Sequence, residues 1–415
     1  MLLCRLQAGF WIAALGIAGA QPGAFTEPPE HPAIDYYARP VHDPIASLNA
    51  AIRGGRTQLT FAWPDGYLRA VLSALGVPVE SQMAVFSKTS LQAPIIGPSH
   101  PRTVFFNDSV VVAWVPGEPF VEAASQDPQQ GVLFYKLVQW PASQPQFVRD
   151  NDCLTCHVSY ASLNVPGMLL RSVYPDSKGV PLRTLGDYEP NHGSPFAELW
   201  GGWYVTGDPG TTAHMGNTVY LDARDPARNI RIDPKWDGAA YLTPFSDVVA
   251  LMVFDHQMRL MNLLTRFGWQ IRVAAHEKSA FDVEPPAKEI AGYLLFVDEA
   301  PFAGRMRGTS GFAEAFARSG IRDHQGRSLR DLDLEHRLMR YPCSYMIYAP
   351  AFNGLPEAGK DAIYRQLWQV LSGRNRSGAY AKLSASDRKA VVEILRETKT
   401  GLPDYFRSGR LANAR

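Results

Sequence analysis

Two cysteines and a histidine lie within five consecutive residues of this 415-residue chain, as Cys153-Leu-Thr-Cys156-His157. On a single helical turn, both sulfurs can reach the two vinyl groups along one side of a porphyrin. The histidine then lies beneath the ring, where its imidazole can take the fifth coordination position of the iron. This spacing is that of a c-type haem attachment site. It predicts one covalently bound haem c, with His157 as the proximal iron ligand.

Three other uses of these cysteines fit the sequence less well. A thioredoxin-like pair follows a hydrophobic strand, whereas residues 148–152, Val-Arg-Asp-Asn-Asp, are mainly polar. A zinc site needs four ligands, normally with a second closely spaced pair, and only Cys4 and Cys343 remain in the chain. A disulfide between Cys153 and Cys156 would close a very short loop of poor geometry. Haem attachment is therefore the favoured interpretation.

At this motif the chain resembles a c-type cytochrome. Three further stretches are similar to a group of large exported bacterial monohaem proteins that has no assigned function. They are residues 105–108 (Phe-Phe-Asn-Asp), 200–207 (Trp-Gly-Gly-Trp-Tyr-Val-Thr-Gly) and 214–217 (His-Met-Gly-Asn). The resemblance covers most of the mature chain and implies a haem without implying a substrate. It departs from small cytochromes, which carry a helix before the motif, because strand-like sequence precedes the motif here.

The second axial ligand decides whether such a haem transfers electrons or binds a substrate. Sulfur and imidazole ligands complete six-coordinate haems, and four such side chains follow the motif: Met168, His192, His214 and Met215. In small cytochromes, which the motif resembles, the distal methionine lies some tens of residues after the histidine, on an irregular loop. Met215 fits this best and is the favoured distal candidate. His192 and His214 are alternative distal ligands, Met168 is a weaker one, and an open position would favour catalysis.

Two functions remain open. The favoured one is electron transfer with a redox partner protein, since the chain has a single haem motif. The alternative is a haem-dependent oxidoreductase acting on peroxide or a small substrate, with His192 or His214 as acid/base and Arg171 stabilising charge. Four residues could contact haem propionates or line the pocket: Arg171, Asn191, Trp200 and Trp203.

Composition and the N-terminal residues limit the classes of protein to which this chain can belong. The net charge is +1 and 20% of residues are charged, so no basic excess indicates nucleic-acid binding. Residues 1–20 are predicted to be a signal peptide, with an apolar run and the small residues Ala18, Gly19 and Ala20 before the cleavage point. No later stretch approaches about 18 uninterrupted apolar residues. We therefore expect a soluble periplasmic protein with no transmembrane segment after cleavage.

Hydrophobic periodicity predicts an α+β fold. A small mixed sheet is expected in an N-terminal region of residues 21–145, followed by a loop-rich haem-binding segment at 146–225. A mainly helical region is expected at 226–415. Strands are predicted at 84–89, 102–107, 110–115 and 131–137. Helices are predicted at 244–275, 288–296, 311–319, 332–339, 360–373 and 384–398.

Overall fold

The computed structural model of the protein describes residues 26–211, 213–234, 236 and 238–408. The signal peptide predicted at residues 1–20 therefore lies outside the described residues. Within them the fold is α+β, as predicted. A six-stranded sheet precedes the haem motif, and the chain after residue 247 is mainly helical.

The sheet contains its strands in chain order, and every neighbouring pair runs antiparallel. The strands are β1 (Met83–Val85), β2 (Arg102–Phe106), β3 (Val110–Trp114), β4 (Phe120–Asp127), β5 (Gly131–Val138) and β6 (Val148–Arg149). The sheet is thus antiparallel rather than mixed, because consecutive strands joined by short connections return beside one another. The sequence did not predict β4, since Glu122, Ser125 and Gln126 interrupt its apolar pattern.

Both faces of the sheet are buried, because side chains alternate between them along each strand. Phe105, Val112 and Leu133 lie on the face that packs with helices α1 (Pro44–Arg53) and α2 (Leu68–Ala74). The opposite face packs with the haem segment and the helices that follow it. A sheet covered on both sides forms a rigid floor for anything bound against it.

Helix α4 (Val248–Glu277) has 30 residues and is buried over most of its length. A helix of that size spans about 45 Å and reaches across a domain. It begins after Asp247, whose Oδ1 accepts hydrogen bonds from the backbone N–H groups of Val249 and Ala250 at 2.8 and 3.2 Å. The sequence placed its start at residue 244, because Thr243-Pro244 is also typical of a helix start.

Seven further helices and two small ribbons lie within the described residues. The helices are α3 (Leu154–His157), α5 (Glu284–Leu294), α6 (Phe312–Arg318), α7 (Pro350–Asn353), α8 (Glu357–Leu371), α9 (Ala385–Thr398) and α10 (Asp404–Ser408). Two small ribbons pair β7 (Ser172–Val173) with β8 (Asp187–Tyr188) and β9 (Thr218–Tyr220) with β10 (Asn229–Arg231).

The prediction of a helix at residues 332–339 is wrong. There the Asp333 carboxylate accepts from the N–H groups of Glu335 and His336, at 3.0 and 2.8 Å, in place of helical bonds.

One hydrophobic cluster joins the regions on either side of the haem motif. It contains side chains from the sheet, from the haem segment and from the helices after residue 247, among them Phe134, Met168, Trp203, Phe254 and Phe406. None of the described helices combines the length and hydrophobicity that crossing a bilayer requires.

Replacing Asp247 with Ala is expected to lower the free energy of unfolding by about 3 kcal/mol. The helix loses its N-terminal cap, and the backbone N–H groups of Thr309 and Ser310, which donate to Oδ2 at 2.6 and 2.9 Å, lose their acceptor. Ser384→Ala at the exposed start of α9 is the matched control, with an expected loss of about 1 kcal/mol. Urea denaturation followed by circular dichroism measures both. Equal losses would contradict the role given to Asp247.

Candidate functional site

The haem motif lies on a short helical segment directly after the last strand of the sheet. A 3₁₀ turn, Asn151–Cys153, leads into α3, and the Asp150 carboxylate accepts from the Asp152 N–H at 3.0 Å to begin it. Cys153 is a partly buried free thiol and Cys156 an exposed one. The two sulfurs and His157 therefore lie on one helical turn, as the spacing predicts.

The His157 imidazole is oriented by a backbone carbonyl. Its Nδ1 lies 2.8 Å from the Gly167 carbonyl oxygen, and because that oxygen can only accept, Nδ1 carries the proton. The lone pair is then on Nε2, the atom that can bind a metal. Burial lowers the pKa of His157 below its usual range, which keeps the ring neutral. The ring packs against Phe134 with their centroids 4.5 Å apart.

A tight loop returns the chain from His157 to Gly167. Leu163 and Asn164 adopt left-handed backbone conformations, with φ of 63° and 59°. The Ser162 hydroxyl accepts from the Ser159 N–H at 3.0 Å and closes the first turn. The Gly167 N–H then donates to the His157 carbonyl at 3.1 Å. Together with the bond between the His157 Nδ1 and the Gly167 carbonyl, this makes two hydrogen bonds between His157 and Gly167, and they close the loop.

Asn262 of α4 anchors this loop to the core. Its Oδ1 accepts from the Met168 N–H at 3.0 Å, and its Nδ2 donates to the Met168 carbonyl at 2.8 Å. A Cβ atom at position 167 would lie 2.3 Å from the Asn262 Oδ1, so only glycine fits there. The position of His157 therefore depends on Asn262, a residue more than a hundred positions further along the chain.

The motif and its loop form one wall of a cleft whose floor is the sheet. The cleft opens to solvent, and the space within it that a water-sized molecule can occupy is about 190 Å³. Cys153, Cys156 and His157 all line it. Its apolar lining includes Val85, Leu91, Val104, Val111, Ala113, Ala124, Phe134, Met168, Leu169, Trp203 and Phe254. A concave, mainly apolar space of this kind is typical of a cofactor site.

Charged residues stand along one side of the cleft floor. The guanidinium of Arg102 on β2 pairs with the Glu122 carboxylate on β4, and their side chains are 21% and 14% exposed. Arg102 and Glu122 both line the cleft, so an ion pair borders its apolar space. Lys136 on β5 pairs with Asp150 at 2.5 Å, outside the residues that line the cleft.

Two of the four predicted wall residues line the cleft. Arg171 lines it and pairs with Asp187, and the Trp203 Nε1 donates to the Arg171 carbonyl at 2.9 Å. Asn191 and Trp200 make their contacts elsewhere. The Trp200 Nε1 donates to a buried Asp255 carboxylate at 2.9 Å, and Asn191 bonds within its own turn.

The three leading distal candidates do not line the cleft. Met215 is buried behind the cleft wall, where its sulfur accepts from the Ser172 hydroxyl at 3.6 Å. The rings of His214 and Trp200 lie edge to face with their centroids 5.3 Å apart. Their distance along the chain from His157 suggested that these residues would lie near the haem. In the folded protein their side chains pack against the core instead.

His192 is committed to a buried pair. Its Nδ1 lies 2.7 Å from Nδ1 of His256 on α4, and the ring stacks on Tyr293 with centroids 4.0 Å apart. The Nε2 of His256 lies 2.7 Å from the Ser344 hydroxyl. Burial lowers the pKa of His192 to about 3. His256 is itself fully buried in the core.

Sequence reasoning missed the sheet residues of the cleft, chiefly Arg102, Glu122 and Phe134. A signal was present, because alternation places Arg102 on the same face as Val104 and Phe106. A charged residue on a face that is otherwise buried indicates a site that needs that charge.

Comparison with known proteins finds no matching family model, no matching curated protein and no matching solved structure. Among the described residues no group of three or more His, Cys, Asp or Glu side chains is placed to hold a metal ion. A haem needs no such group, because the porphyrin supplies four of the iron ligands. The donor set seen here fits it: two free thiols, one neutral imidazole with its Nε2 available, and an apolar cleft beside them.

The two thiols of the motif should react differently in protein that carries no haem. Burial, with the nearby Asp150 carboxylate, raises the pKa of Cys153 to about 12, so about one molecule in ten thousand is thiolate there at pH 8. Iodoacetamide should therefore label the exposed Cys156 first, and labelling of Cys153 should accelerate as the pH rises toward its pKa. Peptide mass spectrometry measures both rates, with Cys156→Ser as the control. Faster labelling of Cys153 than of Cys156 at pH 8 would contradict this order.

Proposed function

We propose that this protein is an exported, periplasmic c-type cytochrome that binds one haem c covalently and transfers electrons to a redox partner protein. The observation that carries the proposal is the His157 imidazole, neutral and with Nδ1 engaged by Gly167, beside two free thiols in an apolar cleft. The leader-like sequence at residues 1–20 agrees with it, because haem c is attached outside the cytoplasmic membrane.

The cysteines would hold the haem without any further reactant. Each thiol adds its sulfur to one carbon of a vinyl group and its hydrogen to the other, so no oxidant or leaving group is needed. Cys153 is the deeper attachment point and Cys156 the exposed one. His157 would supply the axial nitrogen, oriented by Gly167. A haem bound here supplies one-electron redox chemistry.

Electron transfer fits the exposure of the motif. Cys156 is exposed, and Tyr160 shortly after it is 80% exposed. An edge of a haem attached there would lie near the surface, where a partner can approach. A shielded haem with one accessible edge is what an electron carrier needs.

A haem-dependent oxidoreductase is the second candidate function. The observation that favours it is that Met215, His192 and His214 do not line the cleft, so none of these three expected ligands is placed to bind the iron there. The roles considered for the histidines change accordingly. His192 and His214 are not placed as acid/base groups at the cleft, whereas Arg171 lines it.

Covalent attachment tests the proposal directly. When the chain is produced in cells that attach haem c, the purified wild-type protein should have the mass of the processed chain plus one haem. Cys153→Ser and Cys156→Ser should each retain at most one thioether and lose most bound haem, and the double variant should have none. Cys343→Ser, at a buried thiol far from the motif in sequence, is the control and should keep the full haem mass. A wild-type protein without covalent haem in such cells would refute the proposal.

A further inference from the structure

The cleft offers the iron few ligands besides His157. Among its described lining residues, four side chains carry sulfur or imidazole nitrogen: Cys153, Cys156, His157 and Met168. On the proposed function, both cysteines are used as thioethers and His157 takes one axial position. Met168 is then the remaining side chain of this kind at the cleft.

The backbone holds Met168 on the wrong side of the imidazole for the second axial position. Its amide directly follows the Gly167 carbonyl that binds Nδ1, and Nε2 points to the opposite side of the ring. Asn262 holds both backbone polar groups of Met168, so its backbone stays on the Nδ1 side of the His157 ring. Met168 therefore lines the cleft without being placed to hold the iron.

The sheet floor offers no sulfur or imidazole ligand to the cleft. Val104, Ala113 and Ala124, on three neighbouring strands, present short apolar side chains there. The Tyr135 hydroxyl donates to Asp43 at 2.8 Å and is thus already used. The floor therefore leaves room for a small molecule in the cleft.

Arg102 is the cationic group of the floor that can bind such a molecule. Glu122 holds its guanidinium from one side, which fixes the position of the group. Both residues line the cleft, and the Arg102 side chain is 21% exposed, so its guanidinium can also meet a ligand there. Donors from a guanidinium to an anion are also the stronger kind of hydrogen bond.

We infer that the second axial position of the haem takes a small anion from solution rather than a side chain of the cleft, and that Arg102 binds this anion. The inference rests on the haem attachment proposed above, and an exchangeable position of this kind favours the second candidate function, the haem-dependent oxidoreductase. Glu122 is a positioning residue, because it orients Arg102 without itself meeting the ligand.

Spectral titration of the haem-loaded, full-length ferric protein tests this inference. Wild type should show a high-spin spectrum that changes to low-spin on addition of cyanide or azide. In the double variant Arg102→Gln/Glu122→Gln the dissociation constant of both anions should rise about tenfold or more, because a charge-assisted hydrogen bond is lost. Replacing both partners avoids leaving Glu122 as a buried unpaired charge. The double variant Arg266→Gln/Glu289→Gln, which removes an ion pair outside the cleft in the same way, is the control and should leave binding unchanged.

The outcomes separate this inference from the proposed function. Covalent haem with a low-spin ferric spectrum that neither anion changes would overturn the inference and leave the cytochrome standing. A low-spin spectrum that becomes high-spin in Met168→Ala would overturn it too, and would assign Met168 as the ligand. Equal anion binding by wild type and the double variant would remove the role of Arg102. Protein without covalent haem would remove the proposed function and this inference with it.

Discussion

The arrangement of the candidate site depends on the hydrogen bond between the His157 Nδ1 and the Gly167 carbonyl. This bond selects the tautomer, aims Nε2 into the cleft and closes the loop after the motif. The bond is effective because Gly167 is itself held in place. Asn262 binds both backbone polar groups of Met168, and only a glycine fits at position 167 beside the Asn262 side chain. The motif is local in sequence, yet its geometry is set by the central helix α4.

The sheet contributes the other half of the site through its burial on both faces. With α1 and α2 against one face and α4 against the other, its strands are held as a fixed floor. The cleft is mainly apolar, and the Arg102 and Glu122 side chains that line it form an ion pair. Pairing limits the cost of placing charges beside an apolar cavity.

Buried polar groups explain why several residues that suggested chemistry belong to the core. His192 and His256 satisfy one another, and burial lowers the pKa of both, so the pair is neutral. Burial likewise raises the pKa of the Asp255 carboxyl, which accepts from Trp200. Such satisfied groups stabilise one packing arrangement over others. From the sequence alone they are indistinguishable from ligands, because the residue types are the same.

The sequence by itself determined the features that depend on neighbouring residues. The spacing of Cys153, Cys156 and His157 placed them on one turn, and hydrophobic periodicity located α4, α8 and α9 to within a few residues, because both follow from local backbone geometry. Which distant residues share the cleft was decided by the tertiary structure. Arg102 and Glu122 meet because β2 and β4 flank β3, whereas Met215 is buried against Ser172 and does not line the cleft. Separation along the chain does not encode such contacts, since they arise only when the sheet, the loop and α4 pack together.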